Sequence, residues 1–354
     1  MKYKTSLTAT TLKSNENLIG IGSKQYTVND DEFNLSLKIL EFLLTEKDED
    51  EILNWLDSNN IDKSVFKKLV ANKLITTSKA VFQKEDTMEF KNGLYLDLII
   101  NNVQDVLTKF KETTFVVIGC GGIGNFMSYA LSVYSPKKLV LIDGDKIERS
   151  NLNRQFLFTI NDIGKYKSEV IADALKLRNP NLDIEVYTEF ISTNNINNIL
   201  EGKDTNSMFG ILSGDDDTAV SISSKYFLTN NVPFVNIGYL NDIAVISPFV
   251  IPHKTSCPFC YGTFSINGEI NSNDETMAQL HKQYASPSSI INNSLACDLA
   301  LSDIIQYFAG NNDSIKSLNA RVGINSNSFE KYVLPNTKDP NCSICGGISH
   351  LQYI

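Results

Sequence analysis

From Phe115 onward the chain alternates short apolar runs with amphipathic stretches. Phe115-Val116-Val117-Ile118 and Leu139-Val140-Leu141-Ile142 are continuous apolar tetrads, the pattern of strands buried on both faces of a parallel sheet. A helix-length segment separates them. Lys165 to Arg178 then carries Val170, Ile171, Ala174 and Leu175 on one helical face, and Asp183–Tyr187 alternates as a strand. Phe209–Ser213 reads as an apolar strand ending at Gly214-Asp215-Asp216-Asp217. Ala219–Leu228 reads as a helix and Pro233–Ile237 as another strand. Ile243–Ile251 has an antiparallel pattern interrupted by Pro248, and Ser294–Phe308 is an apolar helix. Alternating strands and helices predict an α/β fold, a doubly wound Rossmann-like sheet. One long helix, Leu94 to Phe110, is expected to lead into it. Residues 265–292, rich in Asn, Ser and Asp, read as a mobile loop over a site, with a helix-like piece near Thr276–Gln283.

Residues 1–86 have a different rhythm. Ser6–Thr11 and Leu18–Val28 hold β-formers broken by Asn and Gly, which suggests hairpins. Three helices follow, near Phe33–Leu44, around Ile52–Leu56, and near Lys63–Asn72, with Lys73–Thr77 as a closing strand. Small strands with three helices predict a winged-helix-like α+β module, placed at 1–86 ahead of a nucleotide domain at 87–354. This front stretch carries 12 Lys, no Arg and 14 acids, a net of −2. That charge disfavours DNA phosphates, so a peptide- or protein-binding module is the better reading.

Composition narrows the setting. Charged residues are 21% and hydrophobic residues 42% of 354 positions, ordinary for a globular protein, and net charge is −9. Nonspecific binding to nucleic acid or an anionic membrane is disfavoured. No apolar run approaches the roughly 20 residues a membrane span requires, and the amino-terminal stretch lacks a signal-peptide core, so cytoplasm is the expected location. Six cysteines in that setting suggest metal or chemistry rather than disulfides.

Candidate chemistry sits at the strand ends. Gly119, Gly121 and Gly124 form G-x-G-x-x-G, with Gly122 between them, immediately after the first apolar strand. Asp143 ends the second. Glycines let phosphates approach the backbone, the helix start attracts their charge, and the acid accepts ribose hydroxyls. The motif alone is common among oxidoreductases. Asp145 and the run Asn151-Leu152-Asn153-Arg154-Gln155, followed by Lys167, are more specific. A dinucleotide dehydrogenase has no use for them, whereas a nucleotidyltransferase needs cations on a departing pyrophosphate.

Cys257-Pro-Phe-Cys260 and Cys342-Ser-Ile-Cys345 are two C-x-x-C pairs, 81 residues apart. They can close a four-cysteine zinc site with no position left open for catalysis, or stand as separate reduced or redox pairs. Residues 261–296 contain no cysteine, which disfavours a thioester relay. His253, His281 and His350 show no ligand spacing.

Together these motifs resemble the ThiF/MoeB adenylyltransferases, relatives of ubiquitin-activating enzymes, over about residues 90 to 354. The resemblance implies that the glycines, Asp143 and Asp145 hold ATP and that Asn151, Arg154 and Lys167, with Gln155 beside them, serve the phosphates. It also implies that Asp215 supports Mg²⁺ and the reacting centre, and that the four cysteines hold Zn²⁺. With the front module, and with the Asn236–Val245 stretch, the chain resembles the microcin C-type peptide adenylyltransferases. Those act as homodimers. They modify the C-terminal Asn of a short precursor peptide in antibiotic biosynthesis, through an acyl-adenylate and a succinimide, to a nitrogen–phosphorus bond. The resemblance leaves the base of the nucleotide open, ATP or another NTP. Two alternatives stand beside it: activation of a sulfur carrier ending in Gly-Gly, and a non-catalytic peptide-presenting scaffold. One departure is visible. The family's arginine pair ahead of the first strand is replaced by Met88-Glu89-Phe90-Lys91-Asn92, where Lys91 keeps charge but not the bidentate fork.

Overall fold

The computed structural model describes residues 1–213, 217–260, 279–280 and 282–346. The expectations placed on Asp215, on loop residues 265–278, on much of the helix near Thr276–Gln283, and on His281 and His350 lie outside those residues. The chain forms two compact units, Met1–Thr108 and Lys109–Ile354.

In the first unit, β1 (Lys2–Thr5) is the centre of an antiparallel sheet. It is flanked by β5 (Lys47–Asp48) and β6 (Ile75–Thr76). A separate meander joins β2 (Thr11–Lys13), β3 (Asn17–Ile19) and β4 (Tyr26–Val28). Helices Asp30–Phe42, Glu49–Ser58 and Lys63–Ala71 bury Ile39, Ile52, Leu56 and Leu69 completely. Each helix starts on an acidic or amide cap: Asn29 accepts from Glu32 N, Glu51 accepts from Asp48 N, and Asp62 accepts from Ser64 N, all at 2.8 Å. The acidic run Asp48–Glu51 is thus a helix start. The single helix expected over Leu94–Phe110 is two, Met88–Ile99 and Val103–Glu112. Apolar positions continue across the break and conceal it, while Asn101 and Asn102 end one helix and begin the next.

The second unit is a mixed α/β Rossmann-like fold. Its strands are β7 (Thr114–Ile118), β8 (Lys138–Ile142), β9 (Ile184–Tyr187), β10 (Met208–Leu212), β11 (Phe234–Leu240), β12 (Ile243–Ile246), β13 (Ala320–Asn325) and β14 (Lys331–Pro335). The eight form one sheet in the order β14-β13-β12-β11-β10-β7-β8-β9. From β11 to β9 all pairs are parallel; β12, β13 and β14 continue it antiparallel. Pro248 ends the regular pairing of β12, and Phe249 and Val250 resume it as single bridges. Helix Ile290–Phe308 packs on the sheet with buried Ala296, Ala300 and Ile304. Phe115, Phe209 and Phe249 fill the core beneath, each fully buried and worth roughly 1.5–3 kcal/mol.

Candidate active site

The parallel strands end together, and the loops after them build the site. After β7 the backbone turns at Gly119, whose φ of +90° suits only glycine. Helix Gly122–Ser132 begins at once, with Gly121 as its N-cap and, among the described residues, no side chain capping its first amides. Those N–H groups are left to an anion. A Cβ on Gly124 would lie 1.9 Å from Gly119 O, so Gly124 is the helix–strand contact and does not line the cavity. A Cβ on Gly122 would meet Asn293 Oδ1 at 2.3 Å and Arg154 Cδ at 3.3 Å, so its absence lets both side chains close over the helix start. Ser213, at the end of β10, donates its hydroxyl to Gly119 O and fixes the loop.

Asp143 ends β8 and is buried. Its carboxylate accepts from Cys120 N, and from Asp145 N at 2.7 Å. Burial raises its pKa, opposed by those amide bonds. Each oxygen keeps a second lone pair for a hydroxyl. Asp145 is half exposed and pairs with Lys167 Nζ at 2.7 Å. Lys167 N also donates to Asp145 O, and Ile147 pairs with Lys165 and Gly164, so a short backbone ladder delivers the lysine to the site. Lys167 opens helix Lys167–Arg178. A cation there opposes the helix dipole, which a structural role alone would not favour.

Arg154 donates to Asn153 Oδ1 at 2.8 Å and to Ser150 O at 3.2 Å. Gln155 is 1% exposed and its Oε1 has no partner among the described residues. Gly119, Gly121, Gly122, Asp143, Asp145, Arg154, Gln155 and Lys167 all line one cavity of about 1110 Å³. Asn151 does not. It is buried, and its Oδ1 accepts from Glu148 N at 3.0 Å, holding the turn that carries Arg154. Arg321 and Asn293 also line the cavity, although no motif marks either. Arg321 sits on β13, which has no local sequence signal; the one clue is the arginine itself, one of four in the chain.

The two C-x-x-C pairs meet. All four sulfurs lie within 4.8 Å of one another, with contacts of 3.4, 3.6 and 3.9 Å. A tetrahedral ion with bonds of about 2.3 Å needs sulfurs about 3.8 Å apart, so the donor set fits zinc. Asp339 N donates to Cys260 Sγ at 3.4 Å. Hydrogen bonds with the Cys260 and Cys345 sulfurs, together with burial, push the Cys257 thiol up.

The model of the ThiF family matches residues 95–344. The chain belongs to the ThiF family. Curated relatives include the tRNA threonylcarbamoyladenosine dehydratase of Haemophilus influenzae, 37% identical over 26% of this chain and 35% of that protein. Adenylyltransferase and sulfurtransferase MOCS3 of Drosophila yakuba is 28% identical over 50% of this chain and 39% of its own length. The chain thus spans well under two thirds of these curated relatives. Solved structures match it throughout. Escherichia coli MccB with MccA-N7isoASN has a TM-score of 0.82 at 27% identity, covering 98% of this chain and 100% of that one. MccB with ATP has a TM-score of 0.80 at 29% identity, with the same coverage. PaaA, at 18% identity and a TM-score of 0.64, shares the fold. Among the described residues, no helix is long and apolar enough to cross a membrane.

Proposed function

We propose that this chain is a nucleotidyltransferase that transfers the nucleotidyl group of ATP to the C-terminus of a short ribosomally made precursor peptide. The observation that carries the reading is the extent of the similarity to MccB. It covers 98% of the chain, front unit included, and the matched MccB structures are complexes with ATP and with forms of MccA. In this reading residues 1–86 grip the peptide and residues 87–354 do the chemistry, within a cytoplasmic homodimer.

The cavity suits that chemistry. Asp143 takes the ribose hydroxyls, and the first amides of helix Gly122–Ser132 take the phosphates. Lys167 and Arg154 neutralise charge as a peptide carboxylate oxygen attacks the α-phosphorus. That oxygen–phosphorus bond forms, the bond to the bridging oxygen breaks, and pyrophosphate leaves. Asn151 acts by holding the Arg154 turn, and Gln155 meets the nucleotide with its buried side-chain oxygen. Asp215 is the residue that would hold a magnesium ion, which would supply positive charge to the phosphates. Cys257, Cys260, Cys342 and Cys345 would hold a structural zinc. In the finer course of the reaction, the terminal Asn amide closes on the acyl-adenylate, expelling AMP and leaving a succinimide. The succinimide nitrogen then attacks a second ATP, expelling pyrophosphate and forming the nitrogen–phosphorus bond.

The test is pyrophosphate release by zinc-loaded protein with ATP, magnesium and a short Asn-terminated peptide. Release that depends on the peptide is expected, and mass spectrometry should find the peptide–nucleotide adduct. No release above the peptide-free rate, with any such peptide or nucleotide, would sink the proposal.

A further inference from the structure

A strip of chain crosses the cavity and ends at the arginine turn. Residues 284–287 are exposed, yet Tyr284, Ser286 and Ser288 line the cavity. This stretch is a strap, with water on one face and the cavity on the other. Both of its ends are tied. The Tyr284 hydroxyl donates to Asn241 Oδ1 at 2.7 Å, and Asn241 lies in the turn between β11 and β12. At the other end Asn153 Nδ2 donates to Ser288 O at 2.9 Å. Asn293 Nδ2 donates to Ser288 Oγ at 3.0 Å and to Ser289 O at 2.6 Å. Asn293 is buried and stands against Gly122, at the start of the helix that faces the phosphates.

Asn153 uses its second group differently. Its Oδ1 accepts from Arg154 Nη1 at 2.8 Å, and the same Nη1 donates to Ser150 O at 3.2 Å. The partners fix which way the amide points. A guanidinium can only donate and a carbonyl can only accept, so Oδ1 faces Arg154 and Nδ2 faces the strap. An aspartate or an aliphatic side chain could not make both bonds. Among the described residues Arg154 bonds through no other nitrogen, which leaves Nε and Nη2, the side-on fork that grips two phosphate oxygens. Asn153 thus holds the guanidinium by the nitrogen that the phosphates do not need. Its side chain is exposed, so each bond adds only about 0.5–1.5 kcal/mol to stability. What the two bonds do together is join the strap to the arginine.

We propose that Asn153 is a positioning residue that couples the strap to Arg154. The strap sets the amide, and the amide sets which edge of the guanidinium meets the nucleotide. A peptide held beneath the strap then reaches phosphates already gripped by an aimed arginine. Coupling of this kind is reciprocal, so a nucleotide on Arg154 steadies the strap in turn. The inference deepens the peptide-nucleotidylating reading and rests on it for the identity of the substrate.

The full-length, zinc-loaded protein is tested in two ways. Hydrogen exchange of a fragment covering residues 282–289 is followed with and without α,β-methylene-ATP. The analogue should slow exchange by about threefold or more in the parent, and should not slow it in Asn153→Leu, which keeps the shape and loses both bonds. Equal slowing in the two proteins, or none in the parent, would overturn the coupling. With a peptide that the enzyme accepts, Asn153→Leu should cut kcat for pyrophosphate release by about tenfold, at a Tm within about 2 °C of the parent. Asn153→Gln, which carries both groups one methylene further out, should recover most of that loss. A kcat unchanged in Asn153→Leu, or not recovered in Asn153→Gln, would also overturn the assignment and leave peptide nucleotidylation standing. A parent enzyme inert to every peptide would overturn peptide nucleotidylation, and the exchange comparison would still decide the coupling.

Discussion

Replacing Lys167 with methionine should separate what this residue does for stability from what it does for catalysis. Its side chain is 10% exposed, and its ammonium lies 2.7 Å from the carboxylate of Asp145, whose side chain is 51% exposed. A charge-assisted hydrogen bond is worth about 1.5–3 kcal/mol. Two effects reduce the loss here. Asp145 regains water once the partner is gone, and a cation leaves a helix N-terminus, which returns about 0.3–1 kcal/mol. The net destabilisation is then about 1 kcal/mol, a fall in Tm of about 2–4 °C for a unit of this size. If Lys167 meets charge that develops on the phosphates, its removal costs about 10²–10³ in kcat, roughly 2.7–4 kcal/mol. The catalytic effect should therefore far exceed the structural one. Thermal melts and pyrophosphate release at saturating peptide and nucleotide measure the two separately. A kcat within about threefold of the parent, at a matching Tm, would refute the placement of Lys167 on the reacting phosphates.

Three further outcomes follow from described contacts. Gly124→Ala sets a methyl 1.9 Å from Gly119 O and 3.0 Å from Ser213 Oγ; it should lower stability by about 1–3 kcal/mol and weaken ATP binding, read by melting and calorimetric titration. Cys260→Ser should reduce bound zinc from about one ion per chain to near none by elemental analysis, and lower Tm by several degrees. At Glu185, burial alone would raise the pKa, but bonds from Lys203, Tyr187 and Lys138 outweigh it and hold the carboxyl at about 2. Because the folded value is depressed, this stabilisation is present above the ordinary glutamate range and is lost as pH falls toward 2. Glu185→Gln should therefore be less stable than the parent at pH 7, by roughly 1–3 kcal/mol, with the difference shrinking as pH falls from about 4.5 to 2 in urea melts.

The inner parallel strands β7, β8 and β10 were legible because they are buried on both faces, and β7 and β8 run directly into Gly119 and Asp143. The runs at Phe115 and Leu139 admit little else. The cysteine pairs were legible because thiols at that spacing have few uses. The antiparallel edge was not. Residues of β14 are exposed along its whole length, so Lys331–Pro335 shows no alternation of buried and polar positions. Arg321 was hidden with its neighbour strand, since its place on the cavity wall depends on register, which no local pattern reveals. Asn151 shows the opposite limit. The motif placed it correctly beside Arg154, but the contact it makes is to Glu148 N rather than to the cavity.

The cysteine cluster has a topological consequence. Cys257–Cys260 and Cys342–Cys345 are brought together across 81 intervening residues, and those residues include helix Ile290–Phe308 and both β13 and β14. A metal at that junction turns this stretch into a closed ring of chain, stitched to the rest of the sheet through the pairing of β12 with β13. A break in the backbone inside the ring would leave both new ends tethered, whereas a break outside it would free one. The ring is thus where a circular permutant could open new termini without losing Arg321 from the cavity wall.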